Sequence, residues 1–256
     1  MMHPVHVQAH RGASREKTEN TLEAFVCAAE MGVNSVELDV HLTQDGVPVV
    51  FHDFLLKPEA TLNLTSAVSL SELSLTKLSE IKWRDATFKI PTLLEVFGAL
   101  SSYTPSVLAW VDIEMKTHPQ YTKVSYDRFV GQVFEQVVLG WSLDRTVFRS
   151  FNWELLKKIR KQLSEATIAT VTDETITNYS VAISETEPQW LAPDFHTLNI
   201  DNLSGTQRNG VKVMPYTVNR KEDWQKLRDW GIDGITTDDP RGLLQCLSNT
   251  TPKFAR

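Results

Sequence analysis

Apolar and polar residues alternate with a period of two in several short stretches and with a helical period between them. In residues 5–10, Val5, Val7 and Ala9 oppose His6, Gln8 and His10. In residues 36–41, Val36, Leu38 and Val40 oppose Glu37, Asp39 and His41. In residues 109–116, Val111, Ile113 and Met115 oppose Asp112, Glu114 and Lys116. Each pattern predicts a strand with one apolar and one polar face. A turn at Gln44-Asp45-Gly46 leads into a further apolar strand, VPVVF, which delivers His52 and Asp53. RTVFRSF, ATIATVT, VKVMPYTV and DGITT also read as strands. Helical periodicity covers 20–31, 71–81, 93–100, 124–140 and 153–162. For the first of these, Asn20 is the expected N-cap, Glu23 its capping-box partner and Gly32 the stop. Asn219 and Glu222 repeat that signal before a helix carrying Trp224, Leu227 and Trp230, and a last helix starts at Pro240. Residues 174–210 give no clear pattern.

Strand and helix alternate from end to end, which predicts the α/β class and, within it, a (β/α)8 TIM barrel. Residues 54–90 break the rhythm, being polar and rich in Ser, Thr and Leu. They are expected to form a small insertion after the second barrel strand, in a single domain spanning 1–256. The active site of such a barrel lies at the C-terminal ends of its strands. His10, Arg11, Glu37, Asp39, Glu114, Asn152, Thr217 and Asp238 all fall at predicted strand ends.

The charged residues at those ends carry the chemistry. Same-face neighbours on a strand lie roughly 7 Å apart. Carboxylates brought together at that spacing repel, and burial makes either costly unless a positive charge lies between them. Glu37, Asp39 and Glu114 are therefore the candidate metal ligands. Oxygen donors without cysteine favour one divalent cation, Mg2+ or Ca2+, over zinc. His10 and His52, at strand ends beside the same acids, suit general acid–base work, because imidazole titrates near neutrality. Arg11, beside His10 with Gly12 relieving the turn, suits a phosphate, whose oxygens match the guanidinium fork. Lys116 is placed either to support that anion or to pair with Glu114. His41 shares the side of Glu37 and Asp39; His3, His118 and His196 have no comparable context. Trp110, Trp224 and Trp230 are read as packing residues.

Composition narrows the partners. The net charge of −6 over 256 residues argues against general nucleic-acid binding and against attraction to anionic membranes. No apolar run approaches the ~20 residues of a membrane span. The start of the chain lacks a basic segment followed by an apolar one, so no signal peptide is expected and the cytoplasm is the expected location. Two cysteines, Cys27 and Cys246, give no disulfide framework.

Taken together these residues resemble the glycerophosphodiester phosphodiesterase family. The matching pieces run in order along nearly the whole chain: His10-Arg11-Gly12, Glu19-Asn20-Thr21, Glu37-Leu38-Asp39-Val40, His52-Asp53, Pro91-Thr92-Leu93, Ile113-Glu114 with Lys116, Ser150-Phe151-Asn152, Thr217-Val218-Asn219 and Gly234-Ile235-Thr236-Thr237-Asp238. The resemblance implies a barrel enzyme that hydrolyses glycerophosphodiesters to glycerol 3-phosphate and an alcohol. It assigns Glu37, Asp39 and Glu114 to the metal, His10 and His52 to the acid–base pair, and Arg11 and Lys116 to the phosphate and substrate. The chain departs from the family pattern at Thr18, Tyr216 and the run after Asp53. The last of these bears on the head group, leaving two alternatives. One is a phospholipase D-like enzyme acting on lysophospholipids; the other is a silent barrel that binds phosphoesters.

Overall fold

The computed structural model describes residues 4–176 and 178–248; His3 lies outside them. The strands are β1 (His6–Ala9), β2 (Ser35–Leu42), β3 (Pro48–Val50), β4 (Leu55–Leu56), β5 (Val68–Ser69), β6 (Trp110–Met115), β7 (Thr146–Ser150), β8 (Thr167–Thr172), β9 (Trp190–Pro193), β10 (Lys212–Val213) and β11 (Gly234–Thr237). The helices are α1 (Leu22–Glu30), α2 (Leu75–Ser79), α3 (Leu93–Leu100), α4 (Tyr126–Gly140), α5 (Trp153–Gln162), α6 (Tyr179–Thr186), α7 (Ile200–Arg208), α8 (Lys221–Asp229) and α9 (Pro240–Ser248).

Eight strands pair in parallel in the order β10-β9-β8-β7-β6-β2-β1-β11. The sheet closes past the short β10, where Val218 N–H donates to the Thr236 carbonyl and Thr236 N–H to the Pro215 carbonyl. The expected (β/α)8 barrel is therefore the architecture. The VPVVF strand is not one of the eight: β3 folds back antiparallel on the upper part of β2, with Val40 opposite Val50. The longer strand expected over VKVMPYTV shrinks to two regular residues: Met214 and Tyr216 still donate to the neighbouring Leu191 and Pro193 carbonyls, but Pro215 has no N–H to offer β11.

The apolar face of each barrel strand packs outward under the helices, giving one continuous core that includes Val36, Leu38, Val40, Phe25, Phe97 and Phe129. The inward face is polar in the middle. Gln8 donates to Asp112 at 2.9 Å and accepts from Arg149 at 3.1 Å and Thr236 at 2.8 Å. Below that layer His6 stacks on Trp110 at 4.0 Å, and Trp190 and Met214 complete an apolar plug. The insertion after β3 holds a two-stranded β4-β5 sheet and α2 around its own cluster of Leu56, Leu70, Leu78, Ile81 and Ile90. No described helix is long and apolar enough to cross a membrane.

Two caps differ from expectation. Thr21, not Asn20, caps α1, its hydroxyl accepting from Ala24 N–H. Arg220 holds the cap position of α8 without a side-chain bond. Both asparagines are used at the mouth of the barrel instead.

Candidate active site

Register brings the acids together. Asp39 lies beside Glu114 across β2 and β6, and Ala9 beside Thr237 across β1 and β11, so His10 and Asp238 emerge as neighbours. Glu37, Asp39 and Glu114 are buried, each offering a carboxylate oxygen within 4.8 Å of the other two. Three hard oxygen donors converging in a buried position fit a divalent cation such as Mg2+ or Ca2+. Cations of the chain surround them. Lys116 Nζ lies 3.1 Å from Glu114 and 3.3 Å from Asp39, and Arg11 Nε lies 3.2 Å from Asp39. From below, the fully buried Arg149 reaches Asp112 at 3.2 Å and Glu114 at 3.8 Å.

These surroundings divide the acids. Burial pushes the Asp39 carboxyl up, but Lys116, Arg11 and His52 together outweigh it and bring it down to about 2. For Glu37, burial and the nearby Asp39 charge dominate and push it up to about 7. Glu37 is thus the carboxyl of the three most in need of a further positive charge. The chain spends one donor on it, the Arg11 backbone N–H at 3.0 Å.

Each histidine is oriented by an acid. His10 Nδ1 donates to Asp238 at 2.6 Å, and Asp238 is itself held by Asn219 at 2.6 Å and Ser14 at 3.3 Å. Burial opposes the imidazolium, but the Asp238 hydrogen bond and the Glu37 charge outweigh it, so the His10 pKa is raised. His52 Nδ1 donates to Asp53 at 2.9 Å. A carboxylate only accepts, so both rings carry their proton on Nδ1 and leave Nε2 for other work. His41 supports this arrangement rather than joining the acids: burial lowers its pKa to about 4, and its Nε2 donates to the His52 carbonyl at 3.3 Å.

Arg11 adopts a left-handed backbone at φ 57°, rare for a residue with a side chain. Gly12, at φ 82°, follows because a Cβ there would lie 2.6 Å from the Ala24 carbonyl carbon. The Arg11 guanidinium is engaged by Glu19 at 2.9 Å as well as by Asp39. Asn152, at a strand end, caps α5 and bonds to Thr117 and Tyr126. Thr217 lies 3.5 Å from His10.

Several residues of the site were not singled out in the sequence for these roles. Asn20 is buried, donates to Asp39 at 2.9 Å and takes a left-handed φ of 57°. Its place in a capping-box-like string disguised it. Asp53 and Asp238, which orient the histidines, had a usable signal: an acid beside each candidate histidine once the barrel is closed. Arg149 and Asp112 carry none, since an alternating strand does not say which polar residue is buried.

The model of the glycerophosphoryl diester phosphodiesterase family matches residues 10–241, spanning every one of these groups. The chain belongs to that family. A relative from Caldanaerobacter subterraneus, named glycerophosphodiester phosphodiesterase, is 32% identical over 247 residues, covering 93% of this chain and 96% of that protein. The human lysophospholipase D GDPD1 is 26% identical, covering 94% of this chain and 85% of its own length. Among solved structures, a family member from Silicibacter pomeroyi matches with a TM-score of 0.85 at 26% identity, covering 96% of this chain and 95% of that one.

Proposed function

We propose that this member of the family hydrolyses glycerophosphodiesters to glycerol 3-phosphate and an alcohol, with Mg2+ or Ca2+ held by Glu37, Asp39 and Glu114. The observation that carries the proposal is the convergence of those three carboxylates, within 4.8 Å, at the barrel end that also holds the His10–Asp238 and His52–Asp53 pairs. The bound cation would take up charge growing on a phosphoryl oxygen. Arg11 and Lys116 lie against the same acids and are the groups proposed to contact the remaining oxygens. His10, whose pKa is raised, holds a proton for donation; His52 removes one from the attacking hydroxyl or water. Asp238 and Asp53 keep both Nε2 atoms available and stabilise the imidazolium as each ring cycles.

The silent-barrel alternative is disfavoured because every acid–base and carboxylate position is retained. One observation speaks for the lysophospholipid alternative. Between the insertion and α3 lies a half-open cavity of about 590 Å3 lined by Leu75, Leu78, Ile81, Trp83, Phe88 and Ile90, with Lys89 and Glu95 at its edge. None of the site residues lines it, so a small water-soluble diester remains the favoured substrate. The test is release of glycerol 3-phosphate from glycerophosphocholine compared with release of the lysophosphatidic product from lysophosphatidylcholine. The proposal expects a higher kcat/KM for the glycerophosphodiester; a preference for the lysolipid would replace it with the alternative.

A further inference from the structure

Two cavities flank the acids, and their chemistry differs. One, of about 400 Å3, is lined by His10, Arg11, Ser14, Arg15, Asn219 and Asp238 among others. Charged and hydrogen-bonding groups make up this wall, which suits the hydroxyls of a glycerol moiety. The other, of about 330 Å3, begins at Glu114 and Lys116 and is walled by Phe54, Phe151, Ser150 and Asp173. Phe151 keeps 45% of its surface exposed although it stands at the mouth of a buried site. Its ring meets Tyr216 edge to face at 5.9 Å.

The charge on this second wall is negative where it is not already neutralised. Lys116 sits 5.6 Å over the Phe54 ring, but its charge is matched by Asp39 and Glu114. Asp173 accepts from the Thr175 backbone N–H and hydroxyl, and has no ion-pair partner among the described residues. Burial raises the pKa of the Tyr216 phenol; Arg149 opposes this, while Asp194, Glu114 and Asp173 add to it. Phe151 and Asp173 line the same cavity, and an ammonium group is attracted both to the face of an aromatic ring and to a carboxylate without an ion-pair partner.

We infer that Phe151 and Asp173 form a subsite for a cationic head group, an ammonium carried on the leaving alcohol of the diester. The inference rests on the phosphodiesterase reading and sets its preference: choline- or ethanolamine-type esters over neutral ones. The glycerol end then lies toward His10, Arg15 and Asn219. Phe151 and Asp173 touch the head group, not the reacting atoms, so their contribution falls on substrate binding.

The experiment compares kcat/KM for glycerophosphocholine and for glycerophosphoglycerol, whose head group is neutral, in the metal-supplied enzyme. Wild type, Phe151→Ala, Phe151→Tyr and Asp173→Asn are measured side by side, with melting temperatures to verify folding. Wild type is expected to prefer the choline ester. Phe151→Ala and Asp173→Asn should lower kcat/KM for it by roughly three- to thirtyfold, the range of a single cation–π or exposed charge contact, mainly through KM. Both should leave the neutral diester within about twofold of wild type, and Phe151→Tyr, which keeps the ring, should retain the preference. Equal losses on both substrates, or no loss on either, would overturn the subsite. Active wild type without a cationic preference would overturn the subsite alone. Failure of wild type to hydrolyse either diester would overturn the phosphodiesterase reading and the subsite with it.

Discussion

At the scale of single residues, the two histidines are separable by their partners. His10→Ala and His52→Ala should each reduce turnover by roughly two to four orders of magnitude, the usual contribution of one acid–base group. Metal binding, read by calorimetry, should persist in both. Asp238→Asn makes a finer test. The carboxylate favours imidazolium, so removing it lowers the His10 pKa. If His10 is the proton donor, the alkaline limb of the kcat/KM profile should move to lower pH in this variant; an unmoved limb would assign the limb to another group. The meeting of His10 with Glu37, Asp39 and Glu114 was legible in the sequence because β1, β2 and β6 alternate strictly, which fixes the face each side chain occupies; His52 follows an all-apolar run and was marked only by its place at the end of that run. Asn20 was not, because one Asn-Thr string satisfies both a capping rule and a site contact. Backbone handedness, which distinguishes the two, is not written in the residue types.

At the scale of elements, that ambiguity predicts opposite outcomes for neighbouring positions. Thr21→Ala removes the N-cap of α1 and should cost about 1 kcal/mol of stability, with kcat little changed. Asn20→Ala removes a donor to Asp39 and should weaken metal affinity more than it lowers the melting temperature. The reverse ranking, by denaturation and metal titration, would make Asn20 a structural residue of the turn before α1 rather than a support of the acids. Helices α3 and α5 matched their apolar periodicity closely, since one face of each is buried and a side-chain cap, Thr92 or Asn152, marks where each begins. β3 reads as a fully apolar strand because it is buried on both sides, and that pattern leaves its pairing open. Only its partner, the end of β2, shows that it turns back, and pairing direction is a long-range property.

At the scale of the whole molecule, the barrel concentrates charge that it cannot fully balance by itself. Glu37 is pushed up to about 7 in the folded chain, against an unfolded value near 4.5. The folded state therefore holds an extra proton between those values, so this group makes the metal-free protein less stable as pH rises through that window. A cation bound there reverses the trend, because its ligands must be ionised. The gain in melting temperature on adding Mg2+ or Ca2+ should thus grow from pH 5 to pH 8, and Glu37→Gln should flatten it. The barrel followed from the alternation of strand and helix, and the polar inward faces of β1, β2 and β6 from their alternating residues. The Gln8–Asp112–Arg149 layer did not, since it depends on three strands meeting at one height.

The central claim is that the three carboxylates hold a cation required for phosphodiester hydrolysis. It is tested most directly by glycerol 3-phosphate release from glycerophosphocholine, using enzyme stripped with EDTA and then titrated with Mg2+ or Ca2+. The account predicts that the stripped enzyme is inactive, that one of the two ions restores turnover, and that Glu114→Gln needs a higher ion concentration to reach its own maximum. Full turnover by the exhaustively stripped protein would contradict it.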